Sequence, residues 1–426
     1  MINEESLKVV GYSVWNEHFL RPIYDTYGFA RLPDTTTTLL TGKSAGDCLP
    51  SAALGGEIGR FGKVVLILLD GLGWSFMDSA LKSGKYPFLE RIAAIGVFSK
   101  LSTQFPSTTT AHITTLKYGQ SVGQHGLYEW NVYEPALGEI IVPIGFKRTG
   151  DDVESLRTSD IDPALIYPTG STYFEQLAEQ GVASYVFESA SFIHSTNSKM
   201  ANRGATVVPF RTLPEGLVNL GETIVQAEGP AYFYLYHDGI DSVCHKWGPR
   251  SPQTLAEIDT TLTSLERILS PMLEGQRDLA LLLTADHGHA AVDPAKTVYL
   301  NVELPAIAEW LKTDRRGNIL KFAGSARDVF LHIKPEFLDK AQSQLKSLLA
   351  GKAGVYRTAE LIEAGIFGSP ISDRLRVRMA DLAILSYEHE SVWWYEKDVS
   401  EMKNRGSHGS LERSEAETFL GFHSFR

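Results

Sequence analysis

Cysteine is nearly absent from this 426-residue chain: Cys48 and Cys244 are the only two. No disulfide scaffold and no CxxC metal or redox site can be built from them. Long apolar runs are missing too. The most prominent aliphatic stretch, Val64–Leu69, falls far short of the ~20 residues that span a bilayer. Met1–Leu7 carries two glutamates and no basic, apolar leader pattern, so the expected location is the cytoplasm, without a membrane partner. Basic charge is scarce. Forty Lys and Arg stand against 51 Asp and Glu, a net charge of −11. The short basic pieces Lys312–Arg316 and Arg374–Arg378 read as solvated surface. No stripe suits a nucleic-acid polymer. A small phosphorylated substrate stays compatible, because a metal ion can set the local field. Repeats and low-complexity tracts are absent as well.

What is present is ordinary globular composition, 43% hydrophobic and 21% charged. Lys63–Leu69 reads as a buried strand ended by Asp70-Gly71, and Ser184–Phe187, Ala231–Tyr236 and Leu279–Thr284 read the same way. Amphipathic helices fall between them, most clearly Pro252–Leu269, with Gly170–Gln180 another. This alternation predicts an α/β fold with a mostly parallel central sheet flanked by helices on both faces. Residues 30–60 read as irregular. Residues 1–426 are expected to form one catalytic domain, with an inserted lid or small subdomain over about 290–400, where Asp328–Ile333 and Leu382–Ser386 are strands around a Pro335–Leu349 helix. Continuation of the main sheet is the alternative.

Five short segments carry candidate chemistry. Asp70 follows the first strand, at the carboxyl end where open α/β sheets bind ligands. Asp286 and His287 follow Leu279–Thr284, and both are zinc donors. His289 reads as surface, with a partner to a metal ligand as the alternative. Asp241 and His245 lie one helical turn apart, with His237 and Asp238 as a competing pair. His408 sits between glycines in Gly406-Ser407-His408-Gly409. Ser107-Thr108-Thr109-Thr110 opens a helix, where hydroxyls cap and anions bind. Each segment alone also has a structural reading, as turn, cap or loop. Together they supply what two metal ions with mixed His/Asp ligands need.

Leu68-Leu69-Asp70-Gly71, Phe105-Pro106-Ser107-Thr108-Thr109, Gln124-His125-Gly126, Asp241 to Pro249, Ala285-Asp286-His287-Gly288 and Gly406-Ser407-His408-Gly409, in this order, resemble the nucleotide pyrophosphatase/phosphodiesterase branch of the alkaline phosphatase superfamily. The resemblance implies an alkaline-phosphatase-like fold and two Zn2+ ions, with Mn2+ as another divalent choice. One ion would be held by Asp241, His245 and His408. The other would be held by Asp70, Asp286, His287 and the Thr109 hydroxyl. Thr109, three residues after the proline, would be the nucleophile and form a phospho-threonine. The substrate implied is a phosphodiester or pyrophosphate, nucleotide-like and small. The segment departs from the family pattern after the nucleophile, where Thr110-Ala111-His112 stands. Asn131 is the candidate phosphoryl-binding asparagine, one residue later than in relatives. Tyr128, Glu129 and Trp130 are further pocket candidates. Trp393, Trp394 and Tyr395 read as core packing or as a stacking platform. Alternatives are a phosphomonoesterase or phosphonate hydrolase on the same scaffold, or a metal-binding scaffold protein without turnover.

Overall fold

A computed structural model describes residues 1–44, 46–56 and 59–425. The central sheet has seven strands: β1 (Lys63–Leu69), β2 (Val97–Ser102), β3 (Ala183–Ser189), β4 (Thr206–Phe210), β5 (Ala231–His237), β6 (Leu279–Thr284) and, last in the chain, β11 (Glu417–Phe425). Their order across the sheet is β2-β11-β6-β1-β5-β3-β4. β1 pairs in parallel with β5 and β6, and β3 with β4 and β5. β11 runs antiparallel to both of its neighbours, β2 and β6.

Both faces of this sheet are covered, and β1 shows why its sequence is apolar at every position after Lys63. Val65, Ile67 and Leu69 enter one core; Val64, Leu66 and Leu68 enter the other. Successive side chains of a strand point to opposite faces, so a doubly covered strand cannot alternate with polar residues. The first core is closed by helices including α2 (Trp74–Ser83), α6 (Leu213–Gln226) and α8 (Pro252–Ser264). The second is closed by α1 (Leu32–Thr41), α4 (Thr109–Tyr118) and α5 (Tyr173–Glu179).

α1 corrects the irregular reading of residues 30–60. The Thr35–Thr38 run is β-branched and a weak helix former. Yet Leu32, Leu39 and Leu40 bury against the second core, and the Thr35 and Thr41 hydroxyls bond carbonyls four residues back. Tertiary burial outweighs propensity here.

A second, antiparallel sheet of four strands contains β7 (Ala323–Gly324), β8 (Asp328–Leu331), β9 (Ala353–Arg357) and β10 (Leu382–Ser386), in the order β7-β8-β10-β9. With α9 (Leu338–Leu348) it packs its own core, which includes Trp310, Leu345, Ile384 and Trp394. Its pairings are distinct from those of the seven-stranded sheet among the described residues. A buried ion pair joins this unit to the loops below. Arg327 Nη2 is 2.6 Å from Glu415 Oε1, with both side chains fully buried. Glu415 also accepts from Ser410 N through its carboxylate and from Gly288 N through its carbonyl. Among the described residues, no helix is long and apolar enough to cross a membrane.

Candidate metal centre

The loops at the carboxyl ends of β1, β5 and β6 meet over the sheet. Gly73 and Gly288 bring two of them into backbone contact: a Cβ on Gly73 would lie 2.4 Å from Gly288 Cα, and one on Gly288 would lie 2.1 Å from Ser414 O. The Asp70-Gly71 and Asp286-His287 turns therefore share one floor. α7 (Gly239–Trp247) follows β5 and is helical through Asp241 and His245, so the two side chains project from one face. His237 instead lies 3.8 Å from Glu257, outside the cluster, and Asp238 is the residue before the helix. His408 arrives on the loop before β11, held by Ser107: the Ser107 amide donates to Gly409 O, and His408 Nδ1–H donates to Ser107 O at 2.9 Å.

Six distant Asp and His residues converge in this way. Asp241 Oδ1 lies 3.4 Å from His245 Nε2 and 3.5 Å from His408 Nε2, and the two imidazole nitrogens are 3.2 Å apart. Beside them, His287 Nε2 is 3.5 Å from Asp70 Oδ1 and 3.4 Å from Asp286 Oδ2. Thr109 Oγ1 is 3.1 Å from His287 Nε2 and 3.4 Å from both Asp70 oxygens. Neighbouring ligands on a tetrahedral zinc, at its usual bond lengths, are roughly 3.3–3.5 Å apart. The carboxylate–imidazole separations in both clusters, 3.4–3.5 Å, have that edge length.

The histidine tautomers agree. His245, His287 and His408 each direct Nδ1 to a backbone carbonyl, of Gly406, Gly288 and Ser107 respectively. Nδ1–H donation leaves the Nε2 lone pair free to face the cluster. The Nε2 atoms of His245 and His408 face each other at 3.2 Å, a separation that a shared cation would suit. Asp286 Oδ2 is buried with no hydrogen-bond partner. The donor set thus fits two divalent ions.

Electrostatics point the same way. Burial, then the negative charges of Asp286 and Asp241, push the Asp70 carboxyl well above its ordinary range. Burial raises Asp286 to about 7. Burial raises Asp241 too, but His245, His289 and His408 outweigh it and hold this carboxyl well below its ordinary value. Burial drives His287 and His408 well down, so both are neutral and ready to ligate. Tyr236 donates its hydroxyl to Asp70 Oδ2 at 2.5 Å; nothing in the sequence reading singled it out.

Thr109 is the first residue of α4, after the capping residue Thr108, whose hydroxyl accepts from Ala111 N. His112 fixes this turn: Nδ1–H donates to Thr108 O at 2.7 Å, and Nε2 accepts from Gln104 N at 2.9 Å. Burial lowers its pKa to about 4. The folded chain then binds this proton more weakly than the unfolded chain, whose histidine titrates near ~6.5. Its contribution is complete above that pH and is lost as pH falls toward about 4. His112→Asn keeps a donor for Thr108 but cannot titrate. Its stability deficit relative to wild type shrinks as pH falls below ~6.5, by up to ~1.4 kcal/mol per unit. Urea midpoints of the two proteins at pH 7 and 5 measure this; a constant deficit contradicts it.

Thr109, His245 and His408 open into a cavity of about 1170 Å3. Its walls include Trp130, Lys147, Lys321, Phe322 and Trp393. Asn131 lines the same cavity, but its amide donates to Gly324 O and its carbonyl accepts from Thr149 Oγ1. Tyr128 is buried and packs edge-on against Phe330, so it belongs to the core. Glu129 lines the cavity, with its carboxyl raised by burial to about 7. Trp394 is buried in the second-sheet core, whereas Trp393 packs at a tilt against Phe322 with ring centroids 4.3 Å apart. His289 is buried, with Nε2 2.8 Å from Asp241 Oδ1. The surface reading of His289 is corrected.

The profile of the type I phosphodiesterase / nucleotide pyrophosphatase family matches residues 64–411. Ectonucleotide pyrophosphatase/phosphodiesterase family member 7 of Mus musculus is 24% identical over 260 residues, 58% of this chain and 54% of that protein. The match therefore spans about half the length of that curated relative. Among solved structures, human ectonucleotide pyrophosphatase / phosphodiesterase 5 superimposes with a TM-score of 0.64 at 18% identity, covering 85% of this chain and 88% of the other. The murine protein, as an inactive threonine-to-alanine form in complex with AMP, gives 0.62 at 17% identity, with the same coverage. At those identities the structures speak for the fold. The sequence profile, over most of the chain, makes this protein a member of the type I phosphodiesterase / nucleotide pyrophosphatase family.

Proposed function

We propose that the chain is a two-metal hydrolase that cleaves phosphodiester or pyrophosphate bonds of a small, nucleotide-like substrate through a phospho-threonine on Thr109. The observation that carries this reading is the Thr109 hydroxyl, at a helix start on the cavity floor, within 3.1–3.4 Å of His287 Nε2 and the Asp70 carboxylate. Asp241, His245 and His408 would hold one divalent ion, zinc or manganese, and Asp70, Asp286 and His287 the other, with Thr109 facing it. Such ions supply Lewis acidity and make a hydroxyl nucleophilic at neutral pH.

The chain's own groups do the rest. Thr109 Oγ1 attacks phosphorus, forming the new P–O bond as the bond to the leaving oxygen breaks. Water then cleaves the phospho-threonine and restores the hydroxyl. The first amides of α4 donate to phosphoryl oxygens, as a helix N-terminus does for anions. Residues from the 290–400 segment, Lys321, Phe322 and Trp393 among them, wall the cavity, the position of a lid.

Diester preference has its own support. The aromatic wall of the cavity, with Trp130, Phe322 and Trp393, offers room for a second substituent. The AMP bound to the murine neighbour supports a nucleotide-like substrate. A panel of nucleoside triphosphates, dinucleotides, phosphomonoesters and phosphonates, run on zinc-loaded protein, tests this. The expected order of kcat/KM places dinucleotides and triphosphates ahead of monoesters and phosphonates. Monoesters in first place would replace the reading with a phosphomonoesterase, and turnover of none of them with a binding protein.

A further inference from the structure

His289 breaks the pattern of the other three histidines in the cluster. They anchor Nδ1 on a backbone carbonyl and present Nε2. His289 has a buried Nδ1 with no partner and engages Asp241 Oδ1 through Nε2, at 2.8 Å. Asp241, His245 and His289 also gather closely enough to suggest an ion site of their own. Distance decides against that role. Two ligand atoms on one tetrahedral ion stand roughly 3.3–3.5 Å apart. The contacts of Asp241 with His245 and His408, at 3.4 and 3.5 Å, meet this, whereas 2.8 Å is a hydrogen bond. The space for the ring comes from Gly71, at φ 75°, where a Cβ would lie 3.0 Å from His289 Nε2.

We propose that His289 is a positioning residue: its Nε2–H donates to Asp241 Oδ1 and fixes the carboxylate toward His245 and His408. The inference rests on the two-ion reading above. It also gives the turn after β6 two tasks, since His287 serves one ion and His289 orients a ligand of the other. Residues that hydrogen-bond a metal ligand cost ~10–100-fold in metal affinity when removed.

The test is a zinc titration of metal-free wild type, His289→Leu and His289→Gln against a chromophoric chelator, with no substrate present. Wild type binds two ions. His289→Leu weakens one of them by ~10–100-fold and leaves the other unchanged. His289→Gln, which keeps an N–H donor, recovers most of the loss. Two unchanged affinities in His289→Leu overturn the proposal, and so does a His289→Gln as weak as His289→Leu, which would make the imidazole itself the ligand. If His289→Leu loses both ions, His289→Gln decides: recovery supports the proposal and no recovery overturns it. A wild type that binds fewer than two ions overturns the two-ion reading, and this inference with it.

Discussion

T109A lowers the turnover of bis-p-nitrophenyl phosphate by at least ~10^3-fold, the order seen when a covalent nucleophile is deleted. The loss is in kcat, because the phosphoryl group can still enter but has no chain oxygen to attack it. Asp70, Asp286 and His287 remain in place, so the variant keeps its metal content. That separation matters: inactivity with unchanged zinc implicates the hydroxyl, whereas inactivity with lost zinc implicates the site as a whole. The neighbouring hydroxyls cannot substitute. Thr108 Oγ1 donates to Tyr128 O, and Thr110 Oγ1 is buried. Steady-state kinetics with metal analysis on the same preparations decides it, and wild-type turnover in T109A would remove Thr109 as nucleophile.

Metal removal has the second large effect. Asp70, Asp241 and Asp286 crowd around neutral imidazoles in a buried site. With the ions gone, burial and mutual repulsion drive Asp70 and Asp286 to take up protons, which costs stability at neutral pH. Ions present at ~1,000 times their dissociation constant stabilise the fold by ~4 kcal/mol each. Dialysis against a chelator therefore abolishes hydrolysis and lowers the urea midpoint, and added zinc or manganese restores both. An unchanged midpoint, with less than one ion per chain before chelation, would refute the ion-holding role.

The parts of the site that were legible in the sequence sit where chain geometry is simplest. Asp70, Asp286 and His287 follow apolar strands whose carboxyl ends all open on one edge of a parallel sheet. Asp241 and His245 are one turn apart in a segment that is in fact helical. Thr109 and His408 were placed by family pattern, since no local period marks them. The sequence favours a surface reading of His289 because its partner, Asp241, is 48 residues away, and a histidine after a glycine turn looks exposed. The signal available was the Gly288 between two histidines, which lets both rings turn inward. Tyr128 and Trp130 could not be separated from sequence. They follow the same turn, yet one is buried under Phe330 and the other is 49% exposed. α1 was hidden by its threonines, whose burial only the assembled core reveals.

The position of β11 bears on how the protein can be made. Glu417–Phe425 inserts between β2 and β6, so both neighbours are made before the filler: Phe419 emerges 135 residues after its β6 contact Thr284, and later still after β2. Until then both present unpaired edges, which are sticky toward other chains. The nascent polypeptide thus reaches its native sheet late, after the segment bearing His408 has also left the ribosome. A version shortened before Glu417 would lack an interior strand and leave two open ladders, which favours aggregation over a smaller working enzyme.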